Sequence, residues 1–120
     1  MTANADWRPI SADEARIVAD VVAGSGKTEY RHILEDVGVA EVSHEAEWVL
    51  DVRTRRSAAA IEAQNGPLPV RAYVMSQGEF HGEIMLWIKD GHLSGIEYAW
   101  VTDEPPTRWP IAAELQIVPS

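Results

Sequence analysis

Two groups of residues in this sequence have types and spacings that could do chemistry. The first is "GSGKT" at residues 24–28, which is similar to the end of a phosphate-binding loop. The second is a histidine and two glutamates, His81, Glu83 and Glu97, in two neighbouring apolar runs. Paired carboxylates can take different pKa values and act as acid and base. Whether either group forms a site depends on the elements that carry it.

The elements around "GSGKT" argue against a nucleotide site. A phosphate loop needs G-x-x-x-x-G-K-[ST] after a buried strand. Counting back from Gly26, the first glycine position is occupied by Val21. Upstream, Ser11 is followed by Glu14 three residues later, which is typical of a capping box at the start of a helix. Apolar residues then recur at three- and four-residue spacing, so the segment is predicted to join two helices.

The ends of these helices follow from the same residues. Gly24 comes after the last periodic residue and is predicted to be the left-handed cap of the first helix. Thr28 is predicted to cap a second helix that stops at Gly38. After residue 39 the apolar period changes to alternation, which is typical of strands. We therefore predict a single α+β domain over residues 1–120, with two N-terminal helices packed on an antiparallel β-meander sheet.

The register of a predicted hairpin around Asp90 and Gly91 decides which side chains share a face. A two-residue turn would place Glu97 opposite Ile84, whereas a three-residue turn over residues 89–91 pairs Ile84 with Ile96. We predict the second register, because burial selects the more apolar face. One face then carries Ile84, Leu86, Ile88, Ile96, Tyr98 and Trp100. The opposite face carries Glu83, Met85, Trp87, Leu93, Gly95, Glu97 and Ala99.

In this register Glu83 lies directly across from Glu97, with His81 on the same face. Like charges directly opposite one another destabilise a sheet unless something compensates. One interpretation is structural: both carboxylates extend into water or are met by an arginine such as Arg53 or Arg71.

Two functional interpretations stay open beside it. The face could dock a basic partner, with Trp87 as the aromatic anchor that interfaces favour. Alternatively, the histidine and the two glutamates could form a metal or acid–base site. The candidate binding residues are Glu83, Trp87, Glu97 and His81.

Composition limits the classes of partner and cofactor. The net charge of the 120 residues is −9, which argues against nucleic acid and favours a basic protein. No cysteine is present, so we expect neither disulfides nor a thiolate zinc site nor a cysteine nucleophile. The first ten residues do not resemble a signal peptide, and no apolar run is long enough to cross a membrane. We expect a cytoplasmic protein without cofactor or metal.

Several segments together resemble a family of small bacterial proteins. These proteins share an N-terminal [RL]-x-[IL]-[ST]-x-x-E helix, a "DGxLSxLE" hairpin and a downstream D-x-P-P segment that ends in "WP" or "LP". This chain has isoleucine at position 96, where the family usually has leucine. Some members look like immunity-type partners of secreted toxins, so the resemblance implies protein binding. The matching residues are Asp90, Gly91, Leu93, Ser94, Glu97, Asp103, Pro106 and Pro110.

The functional prediction follows from these observations. The serines lack a G-x-S-x-G elbow, so the sequence has no hydrolase signature. We predict a non-enzymatic protein that binds a macromolecule, either as an immunity-like inhibitor of a basic protein or as a homodimer. The alternative is a small-molecule-binding protein, or a hydrolase-like enzyme, that uses the carboxylate pair on the sheet face.

Overall fold

The computed structural model describes residues 6–56 and 58–119 of the protein. Its two helices are α1 (Ala12–Gly24) and α2 (His32–Val37), with a 3-10 turn over Thr28–Arg31 leading into the second. A further 3-10 turn covers Ala112–Glu114. The strands are β1 (Arg8–Pro9), β2 (Glu41–Ala46), β3 (Val49–Arg53), β4 (Gly66–Pro67), β5 (Val70–Ser76), β6 (Glu79–Lys89), β7 (His92–Trp100) and β8 (Leu115–Pro119). These elements confirm the predicted α+β fold.

All eight described strands belong to one antiparallel sheet. Its order is β1-β2-β3-β7-β6-β5-β8, and the short β4 also pairs with β6. Two runs of sequential strands, β1 to β3 and β5 to β7, meet where β7 pairs with β3. The hairpin of β6 and β7 therefore lies at the centre of the sheet, where both its edges are paired.

Helix α1 begins at the predicted capping box. The Ser11 hydroxyl accepts a hydrogen bond from the Glu14 backbone N–H at 3.1 Å, and the Glu14 carboxylate accepts one from the Ser11 N–H at 2.8 Å. Arg8 donates to both oxygens of that carboxylate at 2.9 and 2.7 Å. The buried Glu14 is therefore both charge-paired and hydrogen-bonded, as a buried carboxylate must be.

The junction between the helices differs in detail from the prediction. Gly24 is the last residue of α1, but the positive φ, 73°, belongs to Gly26. Gly24 instead allows close packing, because a Cβ there would lie 2.6 Å from Cδ1 of Ile117. The 3-10 turn has Lys27 at the N-cap position and includes Thr28 as its first residue, so the predicted cap at Thr28 is wrong. The segment joins two helices, as predicted.

Both helices cover the same face of the sheet. Alternate strand residues are buried against them, while the intervening residues point to the other side. That second side is called the open face below. The core shared by helices and strands includes Ile17, Val18, Val21, Val22, Ile33, Val37, Leu50, Val52, Ala72, Val74, Ile84, Leu86, Ile88 and Ile96.

The central hairpin has a two-residue turn, so the predicted three-residue turn is wrong. Asp90 and Gly91 take φ values of 54° and 79°, the combination that a type I′ turn requires. A β-bulge at Ser94 then shifts the register by one residue. This bulge removes the conflict that the sequence argument found in the shorter turn, because Glu97 is no longer opposite Ile84. The pairs beyond the bulge are Leu86–Ile96, Met85–Glu97, Ile84–Tyr98 and Glu83–Ala99.

The bulge also explains one side chain that lies on the other side from its prediction. Leu93 was expected on the open face but is 4% exposed and belongs to the core, because an extra residue interrupts the alternation before Ile96. Trp100 was expected in the core and is 38% exposed at the end of β7. The other residues of the two predicted faces lie on the expected sides.

Candidate functional site

Five neighbouring side chains form the centre of the open face. Tyr73 of β5 pairs with Glu83 of β6, and Met85 of β6 pairs with Glu97 of β7. Trp87 follows Met85 on the same side of β6, and all five side chains are half-buried. Directly paired residues share a face. These residues, Tyr73, Glu83, Met85, Trp87 and Glu97, are called the open-face patch.

Trp87 is held in a defined position on this patch. Its indole N–H donates to the Glu97 carboxylate at 3.2 Å. The strand residue opposite Trp87 is Gly95, where an added Cβ would lie 3.3 Å from the Trp87 Cβ and 3.4 Å from its Cδ1. The glycine thus leaves room for the indole to lie close to β7. One hydrogen bond and one glycine together fix the largest side chain of the patch.

Glu83 is met by an arginine, as the structural interpretation predicted. Arg71 donates to both carboxylate oxygens, each at 2.8 Å, and its guanidinium lies 5.3 Å from the centre of the Tyr73 ring. The predicted direct opposition of the two glutamates is wrong, because Glu83 pairs with Ala99. The two carboxylates share a face but have separate partners, so they are not arranged as an acid–base pair.

Of the other acids on the open face, Glu41 is paired with an arginine, whereas Asp51 and Glu97 form no ion pair among the described residues. Arg53 of β3 binds Glu41 of β2 at 2.8 Å. Within the described residues, no lysine or arginine forms an ion pair with Asp51 or Glu97. The open face therefore combines an aromatic and methionine centre with two acids, Asp51 and Glu97, that no lysine or arginine of the described residues pairs with.

His81 does not join the patch, contrary to the prediction. A second β-bulge makes His81 the extra residue between the pairs that β6 forms with β5. Gly82 follows with a φ of 143°, and a Cβ there would lie 2.3 Å from the Ala99 carbonyl oxygen. The bulge turns His81 toward a cleft that Val74 and Tyr98 also line. Because both of these are core residues, the cleft lies on the helix-covered side of the sheet.

The cleft lies beneath the loop of residues 101–111 and has a volume of about 350 Å³. The loop is anchored on both sides of it: the Val101 N–H donates to the His81 carbonyl at 3.0 Å, and Arg16 of α1 donates to the Pro110 carbonyl at 3.1 Å. The lining residues are Val74, Ser76, His81, Tyr98, Thr102, Asp103, Glu104, Pro105, Pro106, Thr107, Arg108, Pro110 and Glu114.

An aromatic cluster supports one wall of the cleft. The rings of Tyr98 and Trp109 are stacked with centres 6.2 Å apart, and Trp48 meets the Trp109 ring edge-on at 5.0 Å. Tyr98 is 5% exposed. Burial raises its pKa, and the nearby Glu114 carboxylate raises it further. Its hydroxyl is therefore neutral at physiological pH, and it forms no hydrogen bond to any described residue.

Arg108 and Glu114 form a bidentate pair at the rim of the cleft. The two donor–acceptor distances are 2.8 and 3.0 Å. The hydrogen bonds from Arg108 lower the pKa of Glu114 to about 2, with partial burial opposing the shift. The Ile111 N–H adds a hydrogen bond to the same carboxylate at 3.0 Å. The two side chains are thus paired with each other, and Glu114 also holds the end of the loop through the Ile111 N–H.

Sequence reasoning missed this cleft. The three prolines within residues 102–110 indicate an irregular loop, and the same segment carries two acids, an arginine and a tryptophan. That mixture was the available signal, but only the fold brings the loop over Tyr98 and beside His81. Among the described residues, no group of three or more histidine, aspartate or glutamate side chains is placed to hold a metal ion. In the same part of the chain, no helix is long and apolar enough to span a bilayer.

Comparisons with known proteins identify no family for this chain. No family model matches the chain, and searches of curated proteins and of solved structures find no significant match. The resemblance to small bacterial proteins with a "DGxLSxLE" hairpin therefore stays a prediction.

Proposed function

We propose that this is a non-enzymatic protein that binds a basic protein surface through its open face. The observation that carries the proposal is the open-face patch. It places Trp87, Met85 and Tyr73 at the centre of an eight-stranded sheet whose other face is covered by the helices. Aromatic residues and methionine are enriched at protein interfaces, and tryptophan is among the commonest hot-spot residues.

The fixed position of Trp87 supports a binding role. A side chain that is already ordered loses little conformational entropy when a partner covers it. The hydrogen bond to Glu97 and the space above Gly95 supply that order in the free protein. The patch is thus suited to act as an anchor without rearranging.

Charge selects the kind of partner. The chain carries a net charge of −9, and Asp51 and Glu97 on the open face lack cationic partners within the described residues. Two copies docked through this face would bring these acids together, which is unfavourable. A basic partner would pair with them and would associate faster by electrostatic steering. The charge therefore favours a different, basic protein over a second copy of this chain.

The rival enzymatic hypothesis has less support. It needs Glu83 and Glu97 to interact, whereas Glu83 binds Arg71 and Glu97 accepts from Trp87. An immunity-like role is in keeping with the resemblance and with an acidic inhibitor of a basic toxin. A cytoplasmic location belongs to the same proposal, since a chain without cysteine needs no oxidising compartment to fold.

Affinity capture followed by measurement with the purified partner tests the proposal. The immobilised protein is exposed to an extract of the source cell at physiological salt, and each retained protein is purified and titrated calorimetrically. We expect a basic protein whose Kd weakens about 30-fold or more with Trp87→Ala, which corresponds to about 2 kcal/mol at a hot spot. Raising the salt concentration should weaken binding as well.

Trp100→Ala is the matched control, because Trp100 is exposed but lies outside the patch. It should leave the Kd unchanged. Light scattering of the same variants detects self-association. A dimer that Trp87→Ala dissociates would replace the basic partner with a second copy, and a partner that both tryptophan variants retain equally would remove the open face from the proposal.

A further inference from the structure

We propose that the outer edge of β8 is a dimerisation surface, at which two copies of this chain pair their β8 strands antiparallel into one continuous sheet. The edge lies at the end of the strand order, beyond β5, so it is separate from the open-face patch. This surface does not depend on the function proposed above. Three observations support it: an unprotected strand edge, the lack of charge along that edge, and a self-complementary register.

The two outer edges of the sheet differ in how they are protected. Strand β1 has only two residues, Arg8 and Pro9, and short length, charge and proline all keep a strand edge from pairing with another chain. Strand β8 has five residues, Leu115–Pro119, none of them charged, and it pairs with β5 without a bulge. Its backbone groups that point away from β5 form no hydrogen bond to any described residue. Apart from the proline at its last position, β8 is therefore an open template for another strand.

The charges around this edge favour a second copy over a basic partner. Arg71 of β5 is the residue opposite Val118 and binds Glu83 at 2.8 Å. Glu114, immediately before β8, binds Arg108 at 2.8 Å. These charges are thus compensated within one copy, and neither β8 nor the stretch of β5 that pairs with it contains an acid. A basic surface would find no carboxylate on these two strands, whereas two β8 edges can meet without opposing like charges.

The sequence of β8 suits antiparallel pairing with itself. A two-fold axis through Ile117 places Gln116 opposite Val118 of the second copy and Leu115 opposite Pro119, so every residue of the strand has a partner. Two-fold symmetry of this kind is the commonest in homo-oligomers. Gln116 and Val118 lie on the open-face side and are exposed, Val118 by 50%. In the dimer these two side chains cover each other across the new strand pair.

The dimer leaves both open faces accessible, because a sheet continued about a two-fold axis keeps the helices of both copies on one side. Five residue pairs form an interface below the standard size, so we expect a dimer that dissociates on dilution. The net charge of −9 on each copy opposes association at long range, and salt screens this repulsion. Raising the salt concentration should therefore strengthen the dimer, whereas it should weaken the binding of a basic partner.

Sedimentation equilibrium over a range of protein concentrations tests this surface with two double variants at the same positions. Gln116→Lys with Val118→Lys places lysine opposite lysine twice and should weaken the dimer about tenfold or more, because like charges directly opposite destabilise a strand pair. Gln116→Glu with Val118→Lys places glutamate opposite lysine twice and should dimerise at least as well as the wild type. Circular dichroism of both variants establishes that the fold is intact before the dissociation constants are compared.

Several results would overturn the proposal. A chain that stays monomeric at every concentration and salt would remove the dimer, and equal losses in the two double variants would remove the antiparallel β8 register. A dimer that Trp87→Ala dissociates would lie at the open face instead. If the purified chain is monomeric and a protein captured from the extract is lost only by the double-lysine variant, the edge binds a strand of that protein. Neither double variant should change the Kd of a basic partner on the open face.

Discussion

The two sides of the central hairpin are formed by alternating residues of the same strands and have different roles. On the helix side, Ile84, Leu86 and Ile88 of β6 are at most 2% exposed. On the open side, the intervening Met85 and Trp87 stay half-buried. Because the helix-side residues seal an apolar core, that side supplies the free energy of folding. The open side is therefore free to keep an aromatic and acidic surface for a partner.

The helix side itself is not uniform. Where α1 and α2 cover the sheet, aliphatic side chains pack between the helices and the strands. Beyond the two helices, the loop of residues 101–111 covers the sheet instead. That loop is anchored by polar groups, including the Arg108–Glu114 pair, and it leaves a cleft over Tyr98. The part of the core-facing surface that lies under this loop, rather than under a helix, is therefore a cleft and not a packed core.

The largest expected effect separates the two sides of the hairpin directly. Leu86→Ala removes a side chain that is 2% exposed and should lower the free energy of unfolding by about 2–5 kcal/mol. Met85→Ala, one residue away on the open face, should lower it by about 1 kcal/mol. Urea denaturation followed by circular dichroism measures both. Equal losses would mean that the open face is also covered in solution.

The next effect concerns the bulge that turns His81 away from the open face. Gly82→Ala forces a side chain onto a φ of 143° and to within 2.3 Å of a backbone oxygen, and it should cost about 2–3 kcal/mol. Gly38→Ala is the control, because its φ is −66° and a Cβ there meets nothing within 4 Å. Thermal unfolding should show a large loss for the first variant and little change for the second. Similar midpoints would argue against the bulge.

A smaller effect should appear in acid at the rim of the cleft. The pKa of Glu114 is lowered from 4.5 to about 2, so its carboxylate stabilises the folded state above about pH 4.5 and loses this effect as the pH falls toward 2. With solvent screening of the exposed arginine, we expect about 1 kcal/mol.

Glu114→Gln measures this contribution against the wild type. The difference in the free energy of unfolding should be full at pH 6 and should shrink as the pH falls from 4.5 to 2. Glu29→Gln is the matched control at an exposed helical position. A difference that stayed constant with pH would show that the ion pair contributes nothing through ionisation.

The smallest effect belongs to the ion pair on the open face. Glu83→Gln weakens the pairing with Arg71, but both hydrogen bonds lie at an exposed surface, where solvent screens the interaction. The denaturation midpoint should shift by no more than the scatter between repeats, at low and at high salt. A clear loss of stability would indicate that another molecule covers this face and desolvates the pair.

Structural features that depend on residues close together in the sequence could be predicted, and features that depend on residues far apart in the sequence could not. The capping box at Ser11, the two-helix start and the separation of Ile84 from Glu83 depend on residues a few positions apart, and all were predictable. The register of the hairpin was not. Asp90 and Gly91 allow several turns, and the choice was decided by a bulge at Ser94 that serves the burial of Leu93.

The candidate sites divide in the same way. Glu83, Trp87 and Glu97 were expected on one face because strand alternation is a local property, and the structure places them there. The same alternation predicted His81 on that face. It lies on the other side because a β-bulge interrupts the alternation of residues in β6. The cleft was missed because its parts come from β5, β6, β7 and the 101–111 loop, and no local pattern connects them.

The amino-acid sequence by itself determined the start of α1, the alternation of the strands, the presence of a turn at Asp90 and Gly91 and the acidic charge, since each of these depends on near neighbours or on composition. Tertiary structure alone decided that β7 lies beside β3, that two bulges redirect Leu93 and His81, and that a proline-rich loop closes over Tyr98. The physical reason is that strand pairing and burial are settled between segments far apart in the chain, where small local preferences yield to the much larger free energy of burying one continuous apolar face.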